Sequence, residues 1–275
     1  MTFNNWKELC IGGNKLKRLV RVSDGLVLFE IPSGPDYSEP FWIQGYGVNA
    51  SSKLSFTATV DPSTLSPMLM SYDNKSWTPI EWKKNPFGNN VWSSQNFYGT
   101  DSRKIYFMRD SEVPIGFGVG SDAGIYIYSS SSENEPAFTV GGNINSLLCK
   151  NFSTLTDISG IDKCFSNAIR ANDIVNADAL LLPAESIGLS GYNELVYQFD
   201  ATLTSFGVEV PVENIPNYGC YRMLYNSKKV VNGPKFPKLK SIGDYGLADA
   251  FSGCSSLSSV ELPSALNSIG QYGFS

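Results

Sequence analysis

Catalysis near neutral pH needs a side chain that can take up and return a proton, and this sequence contains no histidine, the residue most often used for that work. A serine nucleophile would have to be activated by lysine instead, and no G-x-S-x-G elbow occurs. The cysteines are Cys10, Cys149, Cys164, Cys220 and Cys254. None forms a C-x-x-C pair, so no zinc site is expected, and an odd, scattered set reads as reduced thiols packed in the interior. Acidic residues are spread along the chain at Asp61, Asp73, Asp101, Asp110, Asp122, Glu133 and Glu135. Cleavage of a glycosidic bond needs two carboxyl groups facing each other about 5–9 Å apart, and no flanking motif pairs any two of these. Gly116, Gly118, Gly120 and Gly124 have the density of a phosphate loop, but such a loop opens a helix, whereas Gly-Ile-Tyr-Ile-Tyr at 124–128 reads as a strand. No catalytic, cofactor-binding or metal-ligating residue is assigned, no cofactor is expected, and the chain is read as a binding protein and not an enzyme.

Aromatic residues are the ones suited to binding. Trp77, Trp82 and Trp92, with Phe97 and Tyr98, fall close together. They either fill a β core or offer a platform to a sugar or protein partner, because exposed indoles give large contact area at small entropic cost.

Lys and Arg number 21 against 26 Asp and Glu, for a formal charge of −5. The basic residues gather only at Lys15, Lys17, Arg18 and Arg21 and at Lys235, Lys238 and Lys240. A nucleic-acid footprint needs a broader stripe than this, so no nucleic-acid partner is expected. No apolar run approaches the ~20 residues that span a bilayer, and MTFNNWKELCIGG lacks the apolar core of a signal peptide. Neither membrane insertion nor Sec export is expected.

The elements that would position these residues are mostly strands. Residues 1–31 read as an N-terminal β-hairpin unit, with Arg-Leu-Val-Arg-Val at 18–22 and Leu-Val-Leu-Phe-Glu-Ile at 26–31 flanking Ser23-Asp24-Gly25. Asp-Gly between two apolar runs supplies the positive φ that a tight hairpin requires. Leu19, Val20, Val22, Leu26, Leu28 and Phe29 are too few to build a core and are expected to attach to another chain. Residues 32–40 are a proline-rich linker. Residues 41–140 read as a β-sandwich-like domain of short alternating strands, among them 54–60, 104–109 and 124–128.

Residues 141–275 carry an internal repeat. An apolar-x-apolar-Pro motif ends at Pro183, Pro211, Pro237 and Pro263, spaced 28, 26 and 26 residues apart. An isoleucine follows each proline, at 187, 215, 242 and 269, and a tyrosine follows each isoleucine, at 192, 218, 245 and 272. Proline cannot donate to a continuing ladder, so each unit is expected to hold one short strand ended by the proline, then a turn or short helix. The expected repeat core is Val208, Val210, Phe236, Phe251, Leu257, Val260, Leu262 and Ile269. The chain ends inside a repeat at Ser275, and an exposed apolar end of a stack calls for a cap or a partner.

The segment 250–270, AFSGCSSLSSVELPSALNSIG, resembles the BspA-like bacterial leucine-rich repeat, with Phe251, Gly253, Cys254, Leu257, Val260, Leu262, Pro263, Ile269 and Gly270 filling its pattern. Earlier units depart further; the third lacks the Gly-Cys. The stretches 72–78, 104–109 and 141–148 are similar to the leader of repeat proteins from gut bacteria and their phages, and 18–30 is similar to a short segment of phage tail and fibre proteins. These resemblances imply a mostly-β chain ending in a leucine-rich-repeat solenoid. They also imply a virion structural and adhesion protein that docks through its N-terminal unit onto other virion subunits or itself, and turns its repeats to a host-surface glycan or protein. A bacterial surface adhesin is the alternative, and a glycan-cleaving tail spike a third reading.

Overall fold

A computed structural model of the chain describes residues 37–46, 52–86, 90–129, 137–197 and 202–275, and the backbone of four short strands before them. The chain divides into two units, Met1–Asp36 and Tyr37–Ser275. In the first, Cys10–Ile11 pairs antiparallel with Asn14–Lys15, and Arg18–Val20 pairs antiparallel with Val27–Glu30, placing Leu19 opposite Phe29. This is the pairing expected from the two apolar runs around Asp-Gly. Val22, Leu26 and the turn itself lie outside the described residues, as do the side chains of Leu19, Val20, Leu28 and Phe29, and so does the expected attachment face.

Among the described residues of the second unit the regular elements are strands in mixed sheets, with only three short 3-10 turns beside them. The sequence alternates where a strand must bury one face and wet the other. Along Lys104–Arg109, Ile105, Phe107 and Arg109 are buried, and the residues between them are half-buried. One six-stranded sheet runs in the order Ile174–Leu181, Phe138–Asn143, Phe41–Gly45, Lys104–Arg109, Met68–Ser71, Thr78–Pro79. The other runs Ile169–Arg170, Ile125–Ser129, Lys53–Ala58, Trp92–Ser94, Trp82–Lys84, with Phe97–Tyr98 also on Lys53–Ala58. Their inner faces meet through aromatic rings. Phe56 of the second sheet lies 4.8 Å from Phe107 of the first, and Phe97 lies 5.1 Å from it, both edge-on.

The expected boundary at 140/141 falls inside the Phe138–Asn143 strand. Ile169–Arg170 and Ile174–Leu181, both from the repeat segment, add parallel to one sheet each. The junction is dense. A Cβ on Gly141 would come within 2.3 Å of Trp42 Cζ2, and Gly142 adopts φ +74°; both positions therefore need glycine. Asn143, Asn145 and Ser146 are fully buried. Asn143 Nδ2 donates to Tyr37 O over 2.9 Å, and its Oδ1 accepts the N–H of Asn145. Ser146 Oγ accepts the N–H of Phe41 over 2.9 Å and donates to Phe107 O over 2.8 Å. The 141–148 stretch is thus a buried polar joint in which Asn143 and Ser146 are hydrogen-bonded as buried polar groups require, and Asn145 Nδ2 donates to Leu155 O over 2.9 Å. Arg109 is also buried. It donates through Nε to Leu147 O over 3.0 Å, and desolvation lowers its pKa to about 10.

From residue 157 onward the chain pairs with itself in parallel at offsets of 26 to 29 residues. Asp157–Ile158 pairs with Ser186–Ile187, and Asn214–Ile215, Ser241–Ile242 and Ser268–Ile269 form a three-stranded sheet. After each Ser-Ile or Asn-Ile strand, alternate backbone N–H groups donate to carbonyls one pass further on. Examples are Tyr218 to Asp244, Cys220 to Gly246, Arg222 to Ala248 and Leu224 to Ala250. Left-handed backbone recurs in these stretches, at Tyr218, Arg222 and Asn226 and again at Tyr245 and Asp249, in a region that non-glycine residues seldom occupy.

The structure corrects several expectations for this segment. In the first unit the apolar-x-apolar-Pro motif does end a strand: Leu180 and Leu181 close Ile174–Leu181 and pair in parallel with Gly142 and Asn143. In the units of Pro211, Pro237 and Pro263 the regular strand is carried by the isoleucine after the proline, and the motif contributes only isolated bridges such as Glu209 with Lys235. Val260 and Leu262 lie in no strand. Val208, Val210 and Phe236 are buried as expected, while Phe251, Leu257 and Val260 are half-buried against the core. Leu262 is 36% and Ile269 53% exposed. Both sit in the last pass, where no later pass of the described chain covers them, whereas Ile242 beneath Ile269 is 2% exposed. Tyr192 does not align with the other tyrosines. It is buried and stacked on Phe165, while Tyr218, Tyr245 and Tyr272 stack in a surface row 5.0 and 5.2 Å apart. No helix among the described residues is long and apolar enough to cross a membrane.

Candidate binding groove

Trp82 and Trp92 come together because their strands pair. Trp92 stands opposite Lys84, and Ser94 opposite Trp82. Residues two apart on a strand share a face, and so do directly opposed residues; both indoles therefore project on the same side. That side is the inner face, since Trp92 also opposes the fully buried Ala58. At this rim the facing sheet ends in Met68–Ser71 and Thr78–Pro79, and the indoles are left half-buried. A groove of about 450 Å³ results, floored by Trp82, Trp92, Met68 and Ile80. Leu65 and the prolines Pro62 and Pro67 form its wall.

Its polar rim comes from one short turn. Asp61 caps the 3-10 turn Pro62–Thr64, accepting hydrogen bonds from the N–H of Ser63 over 3.0 Å and from its Oγ over 2.8 Å. Those bonds hold the Asp61 carboxyl below the usual carboxylate range, so it stays an anion and an acceptor at neutral pH. Lys84 Nζ lies 5.2 Å from the centre of the Trp92 ring, a cation–π arrangement that steadies the indole. The groove thus offers two indole surfaces, one carboxylate, one hydroxyl and a nearby ammonium. With Asp61 as its single carboxylate, it holds no facing acid pair of the kind that cleaves glycosides. It can bind an amphipathic partner by stacking and hydrogen bonding.

Other aromatic candidates lie elsewhere. Trp77 is half-buried beside the turn in which Asp73 accepts the N–H groups of Lys75 and Ser76, and it does not line the groove. Phe97 belongs to the core, and Tyr98 is 45% exposed, 5.8 Å from Lys53 Nζ. The glycine-rich stretch is structural. A Cβ on Gly118, whose φ is +138°, would come within 2.2 Å of Ser166 O, and Phe117 N–H donates to Cys164 O. Leu65, Met68 and Ile80 carry no signal of a site in the sequence, and Asp61 stands there only as one of several scattered carboxylates. They reach the groove from separate segments, and only the strand order brings them together. Among the described residues no group of His, Cys, Asp and Glu is placed to hold a metal ion. Comparison of the chain with protein-family models, with curated proteins and with solved structures finds no match.

Proposed function

We propose that the chain is a non-enzymatic adhesion protein, a tail or fibre component of a phage virion. In this reading residues 141–275 form a leucine-rich-repeat solenoid, the N-terminal hairpin unit docks to the particle or to further copies of the chain, and the rest faces a glycan or protein of the host surface. The observation that carries the adhesion reading is the indole groove. Two tryptophans are held half-exposed over an apolar floor with a fixed anion at the rim, which is the make-up of a binding hot spot and lacks the acid pair of a hydrolase. The parallel pairing of successive units at an offset of 27 residues, as between Ser241 and Asn214, supports the solenoid, because units that cannot bury their apolar face alone must stack.

The test has two arms. Host-cell envelope extract is titrated onto the intact chain while tryptophan fluorescence is followed. A saturable change is expected, and it is lost in Trp82→Ala and Trp92→Ala while their melting temperatures stay near wild type. Antibody labelling of purified particles is expected to decorate the tail. Absence of label on particles overturns the virion assignment, label on the bacterial surface instead supports a cellular adhesin, and envelope binding unaffected by both substitutions removes the groove from the reading.

A further inference from the structure

A second concave surface lies on the repeat segment and shares no residue with the indole groove. It begins with a row of polar side chains on successive passes. Asn232 Nδ2 donates to Ser205 Oγ over 3.0 Å. Ser205 Oγ donates to Asp178 Oδ1 over 2.8 Å, and the N–H of Gly207 donates to the same oxygen over 2.6 Å. Asn176 Nδ2 reaches the other carboxylate oxygen over 3.2 Å. Beneath them the backbone bridges Asn176 to Ser205 and Ser205 to Asn232 in parallel. The Asp178 carboxylate and the Asn232 amide are therefore oriented in advance, without a ligand, by hydrogen bonds that start on the main chain.

A cleft of about 480 Å³ opens over this row, within the range of about 300–1,000 Å³ typical of small-ligand sites. Asp178, Asn232, Lys235 and Glu261 bring two carboxylates, an amide and an ammonium to it, and Val231, 54% exposed, gives it an apolar wall. Glycines keep it open. A Cβ on Gly207 would stand 3.2 Å from Asp178 Oδ1, and one on Gly233 would stand 3.2 Å from Leu257 Cδ1.

This set of groups selects a ligand class. A purely apolar ligand would strip water from carboxylates and an ammonium with no return. A phosphate or carboxylate ligand would meet two anions against one cation. A sugar hydroxyl both donates and accepts, so neighbouring hydroxyls can bridge carboxylate and amide, or carboxylate and ammonium, while the C–H face of the ring rests on Val231. We propose that the cleft between Asp178, Asn232, Lys235 and Glu261 is a saccharide-binding site that takes a neutral oligosaccharide through vicinal hydroxyls. The site stands on this geometry alone and does not depend on the virion assignment or on the indole groove.

Calorimetric titration of the intact chain tests it, with a panel of neutral hexose and N-acetylhexosamine oligosaccharides and a matched panel carrying uronic or sialic acids. At least one neutral oligosaccharide is expected to bind. Asn232→Ala and Glu261→Gln are each expected to weaken it about tenfold or more, as loss of one charged or well-placed hydrogen bond does, while Trp82→Ala leaves it unchanged. Both substituted side chains are exposed, and thermal melts within a few degrees of wild type show that they fold. Binding of no neutral saccharide, equal binding of the acidic panel, or binding that survives both cleft substitutions and disappears with Trp82→Ala overturns the proposal.

Discussion

Phe236 and Leu262 occupy the same place in successive passes, each directly before the proline of its motif, yet they stand in opposite surroundings. Phe236 is 1% exposed and part of the continuous core, and Leu262 is 36% exposed. Phe236→Ala removes a ring that is packed on all sides, so the loss of transfer energy is joined by a cavity the neighbours fill only in part; about 3–5 kcal/mol is expected. Leu262→Ala opens onto solvent, so no closed cavity forms. About two thirds of the ~1.5–3 kcal/mol for burying a leucine side chain is at stake, that is roughly 1–2 kcal/mol. Urea unfolding followed by circular dichroism measures both, provided the m-value is unchanged. For a unit of this size each kcal/mol moves the melting temperature by about 2–4 °C, so the phenylalanine variant is expected to fall by roughly 6–20 °C and the leucine variant by far less. Equal losses at the two sites, or a Phe236→Ala protein that melts with wild type, would refute the burial argument.

Four further outcomes are expected. Asp173 is fully buried and accepts from Ser129 Oγ over 2.8 Å, and burial pushes its pKa from 3.8 up to about 6. The folded state therefore holds this proton more tightly than the unfolded chain, and stability should fall as pH rises from about 4 to about 6 and level off above. Asp173→Asn should remove that slope and raise stability at pH 8 by up to roughly 3 kcal/mol, read from urea midpoints across pH. Ser146→Ala leaves the N–H of Phe41 and the carbonyl of Phe107 without their partner and should cost about 2–4 kcal/mol by the same unfolding assay. Gly141→Ala forces a methyl group into the Trp42 indole and should cost about 1–3 kcal/mol or more, with a changed near-ultraviolet tryptophan signal. Cys164 and Cys220 are wholly buried, and burial pushes both thiols far up. Native alkylation should spare them and reach Cys254 before either, since that residue is 7% exposed and its thiol is raised only to about 11; mass spectrometry of the labelled peptides decides it.

The strand-rich class and the repeat period could be read from the sequence because both depend on local pattern. Lys104–Arg109 and Ile125–Ser129 alternate as strands with one buried face must. The apolar-x-apolar-Pro motif marks a strand only in the first unit, at Leu180 and Leu181, and in the later units it misplaces the strand for a physical reason. Val260-Glu261-Leu262 has the apolar-polar-apolar pattern of a strand, but a two-residue strand such as Ser268–Ile269 is too short to show any alternation. The recurring isoleucine was the available signal, and its burial at Ile158, Ile187, Ile215 and Ile242 shows what it marks. The left-handed residues were invisible, because Tyr218, Arg222, Tyr245 and Asp249 are not residue types that announce positive φ. Tyr192 fails to align with Tyr218 because it stands two residues further from its isoleucine, Ile187, than Tyr218 stands from Ile215. Hydrogen bonding from Tyr192 N–H to Gly219 O and from Cys220 N–H to Gly246 O places Tyr192 with Cys220 instead.

The candidate sites divide along the same line. The indole groove depends on which strands neighbour one another, and nothing local to Leu65, Ile80 or Trp82 states that order. The cleft depends only on the period. Once one residue of a pass is placed, one some 26 to 29 positions away lies beside it, and Asp178, Ser205 and Asn232 form such a row. Such rows are of two kinds. In Asn217, Asp244 and Gln271, each side-chain oxygen accepts the next N–H along the row, Asn217 Oδ1 from Asp244 and Asp244 Oδ1 from Gln271, so the polar capacity is used inside the fold. In Glu209, Lys235 and Glu261 the side chains are exposed, and the bridge between Glu209 and Lys235 is made by the main chain, which leaves the charged groups turned outward. Rows of the first kind hold the stack in register, and rows of the second kind are where a stacked chain can meet a ligand. In the cleft proposed as a saccharide site, the charges of Lys235 and Glu261 from this row are the groups that would select the ligand.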